Sequence, residues 1–157
     1  MSTTDTAGSS ATRAAAHLVC PHCAAVNRVP LDRPATAARC GKCHAALFDG
    51  HPAEVDEAGF EAHLRGNEIP VLVDIWAPWC GPCRMMAPAF ERAAQELEPG
   101  VRLLKLNADE APQVTASLGV RGIPAMFLFR GGRVIANTAG AMDAGSIVKW
   151  VRGKLAA

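Results

Sequence analysis

The sequence has little net charge, few cysteines and no long apolar run, and each absence excludes a class of protein. Its 157 residues carry 16 Lys and Arg against 15 Asp and Glu, so no strong field of one sign attracts nucleic acid or an anionic membrane. No apolar run approaches the roughly 18 residues of a membrane-spanning helix. Six cysteines are well below the roughly 8–10% of a disulfide-built scaffold. The sequence therefore predicts a protein that binds neither nucleic acid nor membrane, and that is not a disulfide-rich secreted peptide.

Residues 1–16 form a first segment, rich in Ser, Thr and Ala, with only Asp5 and Arg13 charged. It lacks the apolar core of a secretory signal, and one arginine does not make an amphipathic transit peptide. Because its apolar surface is too small to offset the entropy of ordering, we predict a disordered tail over 1–16.

The next segment, residues 17–49, contains four of the six cysteines but few aliphatic side chains. It is too short for a self-sufficient core, since chains below roughly 40 residues usually need a metal or disulfides. We therefore predict a small four-cysteine domain over 17–49, joined by a Gly- and Pro-containing linker to a larger domain over 53–157.

The pattern of residues 53–157 predicts an α/β domain. A buried strand is expected at 71–76, followed by a long helix that begins near Cys80, and the final helix is expected to be capped by Asp143. Strands joined by helices early and by a hairpin late indicate a mixed central sheet with helices on both faces. His63 fits no ligand pattern and is expected at the surface. Further strands are expected at 101–107, 125–129 and 133–138.

All six cysteines fall in Cys-x-x-Cys pairs, and the third pair is placed for redox chemistry. Cys80 and Cys83, separated by Gly81 and Pro82, stand where the predicted strand ends and the long helix begins. The unpaired N–H groups and the dipole of a helix N-terminus favour the thiolate of Cys80, which is the nucleophile of disulfide exchange. Cys83, one turn deeper, is placed to resolve the mixed disulfide. The pair predicts a redox-active disulfide, with no bound organic cofactor.

The run of residues 73–83, Val-Asp-Ile-Trp-Ala-Pro-Trp-Cys-Gly-Pro-Cys, resembles the active-site segment of the thioredoxin family. Pro88, the Ile123-Pro124 pair and Gly140 follow in the family's order, so the resemblance covers most of 53–157. Within the family the chain looks most similar to the thioredoxin 2 branch, which carries an extra zinc-binding segment. The resemblance implies a thioredoxin fold, preceded by a small zinc-ribbon-like domain.

The resemblance also implies roles around the dithiol. Asp74 is expected to be a buried carboxylate that exchanges a proton with Cys83, and burial should raise its pKa. Lys105 is expected near Asp74, and Ile123-Pro124 is expected to form a cis-proline loop that faces the dithiol and pairs with the substrate chain. On the residues alone, Asp74 could instead bond backbone groups, and Lys105 could be a solvated strand residue. The docking patch that the resemblance implies consists of Trp79, Gly81, Pro82, Ile123, Pro124, Gly140 and Ala141.

The remaining four cysteines have the spacing of a two-knuckle metal site. Cys20 and Cys23 form one pair and Cys40 and Cys43 the other, with residues 24–39 between them. Each pair can donate two sulfurs, and the loop can bring the pairs together as a tetrahedron of thiolates around one zinc ion. We predict zinc, with iron in the same ligand set and two redox-active disulfides as the alternatives.

These patterns together predict a protein-disulfide reductase. Its partners would be disulfide-containing proteins and, as the resemblance implies, an NADPH-dependent thioredoxin reductase. Zinc thiolates and a reducing dithiol persist where cysteines are kept reduced, which favours the cytoplasm, and no extra apolar stripe indicates a dimer, so a monomer is expected. The alternative hypothesis is a redox or zinc sensor that works by binding partners, in which oxidation of the four N-terminal cysteines releases zinc.

Overall fold

The structure, a computed structural model, describes residues 14–157. Along this part of the chain the strands are β1 (Ala15–Val19), β2 (Val26–Pro30), β3 (Ala53–Val55), β4 (Val71–Trp76), β5 (Arg102–Asn107), β6 (Ala125–Arg130) and β7 (Arg133–Ala139). The α-helices are α1 (Glu57–Gly66), α2 (Gly81–Leu97), α3 (Pro112–Leu118) and α4 (Ala144–Ala156), and 3-10 turns cover Ala35–Ala37 and Ala108–Glu110. Within residues 14–157, no helix is long and apolar enough to cross a membrane.

Five strands form a central mixed sheet in the order β3-β5-β4-β6-β7. The strands β3, β5 and β4 run parallel, whereas β6 and β7 are antiparallel to their neighbours. Gly131 and Gly132, with φ of 61° and 78°, form the turn between β6 and β7, and glycine adopts such positive φ values without the steric cost of a Cβ. The predicted mixed sheet is confirmed.

Both faces of this sheet are buried, which explains why β4 reads as an almost unbroken apolar run. Leu72 belongs to a core shared with α2 and α4, through residues such as Phe90 and Ile147. Its neighbour Val73 belongs to the opposite core, which includes Phe60 of α1. Successive strand residues point to opposite faces, so the single strand β4 holds the two layers of helices together.

The four-cysteine segment adds a two-stranded sheet in which β1 pairs antiparallel with β2. Its small core includes Leu18, Leu47 and Phe48. The strand β1 begins at Ala15, so the end of the segment 1–16 that was predicted as a tail is a strand instead; residues 1–13 lie outside the described part. Pairing of Ala16 with Val29 supplies backbone hydrogen bonds that the alanine-rich sequence does not reveal.

The segment packs against the end of α1. Val19 N donates to Asn67 Oδ1 at 2.8 Å, and Asn67 Nδ2 lies 2.6 Å from His63 Nδ1. His63 is only 1% exposed, so the prediction that it lies at the surface was wrong. The contact that buries it comes from a segment more than 40 residues away, and this burial lowers the pKa of His63 to about 3.

Candidate active site and metal site

The third cysteine pair lies at the junction of β4 and α2, as predicted. Cys80 is the N-cap of α2, and its Sγ accepts a hydrogen bond of 3.2 Å from Cys83 N. A disulfide joins the two residues, whose Cα atoms are 5.3 Å apart. Both cysteines are buried, with an exposed fraction of 5% or less. The helix terminus therefore directs a backbone N–H at the sulfur that is expected to attack, which stabilises its thiolate.

The two residues between the cysteines fit this junction for different reasons. Pro82 occupies the first turn of α2, where its missing N–H would have had no partner inside the helix. Gly81 faces open space, since a Cβ added there would meet nothing within 4 Å. The backbone beside Cys80 is thus left accessible to another chain.

The Ile123-Pro124 loop lies against the dithiol and contains a cis peptide bond. Ile123 O is 3.8 Å from Cys80 Sγ, and Gly140 N donates to Pro124 O at 2.9 Å. The structure therefore brings Ile123, Pro124 and Gly140 together with Cys80, while exposed Ala141 follows directly in the chain.

Trp79 stands next to the dithiol with 68% of its surface exposed. Its Nε1 is 3.1 Å from each carboxylate oxygen of Asp109, so a fixed acceptor orients an otherwise free indole. Asp109 was not predicted as a site residue. It belongs to the 3-10 turn after β5, and no local signal links this turn to a tryptophan thirty residues earlier.

Asp74 is buried in the middle of β4 and is only 1% exposed. Among residues 14–157, neither of its carboxylate oxygens has a hydrogen-bond partner. Burial raises its pKa to about 7, against an opposing influence of the positive charge of Lys105. Lys105 is the register partner of Asp74 on β5, and its Nζ lies 4.8 Å from the centre of the Trp76 ring. Asp74 therefore titrates where thiol chemistry operates.

The other four cysteines come together into one cluster, in which the four Sγ atoms all lie within 4.8 Å of one another. Cys20 Sγ is 3.6 Å from Cys43 Sγ, and Cys23 Sγ is 3.6 Å from Cys40 Sγ. Zinc–sulfur bonds of about 2.3 Å in a tetrahedron give sulfur–sulfur edges of about 3.8 Å, so one zinc ion fits. The four are free cysteines, well outside the S–S distance of about 2.05 Å in a disulfide.

The chemistry of the cluster also fits a cation. Hydrogen bonds from Cys43 N, from the Asn27 amide and from Lys42 N lower the pKa of Cys40 to about 5. Burial instead raises the pKa of Cys20 to about 12. A site in which one thiol has a lowered pKa and another has a raised pKa holds four thiolates at neutral pH only when a cation balances their negative charge. When bound, zinc would be held by Cys20, Cys23, Cys40 and Cys43, and it would supply the folding energy of this segment.

A buried arginine joins the two parts of the molecule. Arg102, at the start of β5, is 1% exposed, and its Nη2 donates to Leu47 O at 2.6 Å and to Val19 O at 3.4 Å. Its guanidinium carbon lies 4.3 Å from the centre of the Phe48 ring, and Nη1 lies 3.6 Å from Glu98 Oε2. The sequence did not predict that Arg102 connects the two parts of the molecule, because a charged residue at a strand start is ordinarily solvated.

A mixed sheet that presents a dithiol at a helix N-terminus, opposite a cis-proline loop, defines a thiol–disulfide oxidoreductase. The family model described as "Thioredoxin" matches residues 51–153, and the chain belongs to the thioredoxin family. A second model, described as "Thioredoxin 2, N-terminal", matches residues 19–45. This match agrees with the geometry of the four-cysteine cluster, which is a site for one zinc ion.

Known relatives support the same assignment. The chain is 37% identical to Thioredoxin C-3 of Corynebacterium nephridii over 138 residues, which cover 88% of this chain and 94% of that protein. It is 36% identical to a thioredoxin of Rickettsia bellii, over 66% of this chain and 98% of that protein. Chloroplastic thioredoxin z has a similar structure, with a TM-score of 0.62 and 25% identity over 68% of this chain and 96% of that one. The protein is a protein-disulfide reductase.

Proposed function

We propose that the protein reduces disulfides of partner proteins through Cys80 and Cys83, and that an NADPH-dependent thioredoxin reductase regenerates the dithiol. One observation carries this proposal: Cys80 caps α2, accepts the Cys83 N–H at 3.2 Å and lies 3.8 Å from Ile123 O. The nucleophile, its resolving partner and a backbone edge for the substrate chain are thus within one small surface.

The first step forms a mixed disulfide. The Cys80 thiolate attacks one sulfur of the substrate, the substrate S–S bond breaks, and the second substrate sulfur leaves as a thiolate. Ile123 and Pro124 would align the substrate chain beside Cys80, while Trp79, Gly81, Pro82, Gly140 and Ala141 would complete the apolar docking patch. Because Gly81 and Pro82 carry little side-chain bulk, the substrate can approach the sulfur closely.

The second step releases the product. Cys83 gives its proton to Asp74 and attacks Cys80 Sγ, which closes the Cys80–Cys83 disulfide and frees the remaining substrate sulfur as a thiolate. Two electrons pass from the dithiol to the substrate, and the two product thiolates take up one proton from Asp74 and one from solvent. With its pKa raised to about 7, Asp74 is suited to accept a proton near neutral pH, and the nearby charge of Lys105 would assist its ionisation.

The wider setting follows from the same chemistry. A reducing dithiol and a zinc-tetrathiolate site both require a compartment that keeps cysteines reduced, so we propose that the protein works in the cytoplasm. We propose that it acts as a monomer, because one face of one chain carries every group that the two steps require.

The test is NADPH oxidation in the presence of thioredoxin reductase and insulin. The unmodified chain should support rapid turnover. Cys80→Ser should abolish it, whereas Cys83→Ser should also lose turnover but accumulate mixed disulfides that a non-reducing gel reveals. Normal turnover by Cys80→Ser would falsify the mechanism. If the unmodified chain with zinc bound and its dithiol intact supported no turnover, the proposed electron donor would be wrong.

A second candidate function, a redox or zinc sensor, is favoured by the exposure of the metal cluster. Cys43 is exposed, and its Sγ lies 3.6 Å from Cys20 Sγ, so hydrogen peroxide would oxidise Cys43 to a sulfenic acid, and Cys20 would displace water from it to form a disulfide that releases zinc. Titration with hydrogen peroxide, read by a zinc indicator and by partner binding, tests this function. Partner binding that changes at doses that release no zinc would exclude it.

A further inference from the structure

A small cavity of about 230 Å³ lies in the four-cysteine segment, apart from the dithiol. It is bounded by β2 and by the loop that leads to Cys40. Its volume is below the range of roughly 300–1,000 Å³ that is typical of cofactor and drug sites. It is large enough for one or two amino-acid side chains.

Among the described residues that line this cavity, three are arginines, namely Arg28, Arg33 and Arg39, and none is acidic. In the described part of the chain, none of the three takes part in an ion pair. Arg39 Nη1 donates to His44 O at 3.3 Å, whereas the guanidinium groups of Arg28 and Arg33 have no hydrogen-bond acceptor among residues 14–157. Guanidinium groups pair with carboxylates through two parallel hydrogen bonds, so the cavity is complementary to a carboxylate.

The rest of the wall is apolar. Buried Val29, together with Pro30, Pro34 and two alanines, contributes no polar side-chain group. A free inorganic anion would satisfy the arginines but would leave this wall uncovered. A peptide that carries an acidic residue beside an aliphatic one would cover both, because the two kinds of side chain meet the two kinds of wall.

The shape of the cavity depends on the metal site. Asn27 lines the cavity, and its side chain accepts from Gly41 N at 2.9 Å and donates to Cys40 Sγ at 3.5 Å. Arg39 directly precedes Cys40, and it pairs with Ala46 in an isolated β-bridge. Two sides of the cavity are therefore held by the knuckle of Cys40 and Cys43, which the metal orders.

We propose that this cavity is a docking site for an acidic, partly aliphatic peptide segment of a partner protein, and that zinc preorganises it. The chain as a whole carries a net charge of only +1, so the attraction is local rather than a general field. The site is separate from the disulfide chemistry and does not rest on the reductase mechanism.

The test uses the full-length, zinc-loaded protein and a fluorescein-labelled peptide in which four glutamates alternate with leucines. Binding is followed by fluorescence anisotropy at 0.15 M salt, where charges farther apart than about 8 Å are largely screened. Arg28→Gln combined with Arg33→Gln should weaken binding about tenfold or more. Arg65→Gln combined with Arg152→Gln makes the same change of charge at exposed positions elsewhere and should have little effect.

Two further changes, one to the cavity and one to the metal site, test the proposal. Ala37→Glu, which adds an acid to the cavity and keeps all three arginines, should also weaken peptide binding. Removal of zinc should weaken binding to a similar extent, although every arginine is still present. Equal losses in both arginine pairs, binding that survives zinc removal, or complete displacement of the peptide by 10 mM inorganic phosphate would each overturn the proposal. Insulin reduction should be unchanged in the Arg28 and Arg33 variant, which separates this site from the dithiol.

Discussion

The same four-residue motif, Cys-x-x-Cys, occurs in two regions of this molecule with opposite chemical results. At the start of α2 it closes on itself, as the disulfide between Cys80 and Cys83. In the N-terminal segment the sulfurs face each other across two knuckles, with 3.6 Å between Cys20 and Cys43. The cysteines are alike, so the backbone that follows each pair decides the outcome.

The two knuckles are close copies of each other. Ala24 and His44 each follow the second cysteine of their pair, with φ of 63° and 67°, and their N–H groups bond back to the carbonyls of Cys20 and Cys40. A left-handed residue at this point turns the chain away, so both sulfurs of a knuckle point towards the other knuckle. After Cys83 the chain instead continues as a helix. The two sulfurs then lie on one helical turn, so they can pair only with each other.

The largest expected effect is on zinc content, and it should show that the two regions act independently. Cys40→Ser should reduce zinc content from one ion per chain to less than about a tenth, since a structural site of this type depends on all four ligands and contributes roughly 10–16 kcal/mol of folding energy. Turnover of insulin should persist within a few fold. Cys83→Ser is the matched control and should show the reverse, with zinc retained and turnover lost. Loss of zinc in both variants would show that the regions are not chemically independent.

The second prediction concerns the buried Arg102, which connects the two regions. Arg102→Met should lower the free energy of unfolding of the zinc-loaded chain by about 3–5 kcal/mol, because it leaves the Glu98 carboxylate buried without its cation. Burial already raises the pKa of Glu98 to about 7. Urea unfolding measures the effect, with Arg92→Met on the exposed face of α2 as the control. Adding Glu98→Gln to Arg102→Met should recover part of the loss; no recovery would mean that the charge pair is not the cause.

The third prediction is a gain of stability at the dithiol region. The folded-state pKa of Asp74, about 7, is raised above the usual value near 3.8, so its contribution is fully favourable below pH 3.8 and is lost as pH rises through 7. Asp74→Asn cannot ionise, so it should be more stable than the unmodified chain at pH 8, by about 4 kcal/mol. The two should converge near pH 4, as measured by urea unfolding at each pH. A constant difference at all pH values would contradict the assignment, and turnover should fall in the variant.

The smallest expected effect concerns the turn that distinguishes a knuckle from a helix start. Ala24→Gly should stabilise the zinc-loaded segment by about 1 kcal/mol, because glycine adopts positive φ without the steric cost of a Cβ. Zinc affinity should rise about fivefold in competition with a chelator. Its neighbour Ala25 packs against the small core, and Ala25→Gly should weaken zinc binding instead. Weaker binding in both variants would indicate that chain entropy outweighs the strain.

The sequence by itself determined the local architecture and the two cysteine sites. Its spacing placed Cys80 at a helix start, where α2 does begin, and the predicted cap of the last helix, Asp143, accepts from Ser146 N at 2.7 Å. These features were predictable because the residues that cause them lie within a few positions of one another. The apolar run of β4 likewise predicted a strand that is buried on both faces.

The tertiary structure alone decided the features that join distant residues. Arg102, His63 and Asp109 each have a role that depends on a partner about thirty or more residues away, or on a neighbouring segment that folds over them. Their local sequences are those of ordinary surface residues, and burial is not a local property. The ordered start of β1 at Ala15 has the same origin, since a polar, alanine-rich segment becomes a strand only when β2 supplies hydrogen bonds.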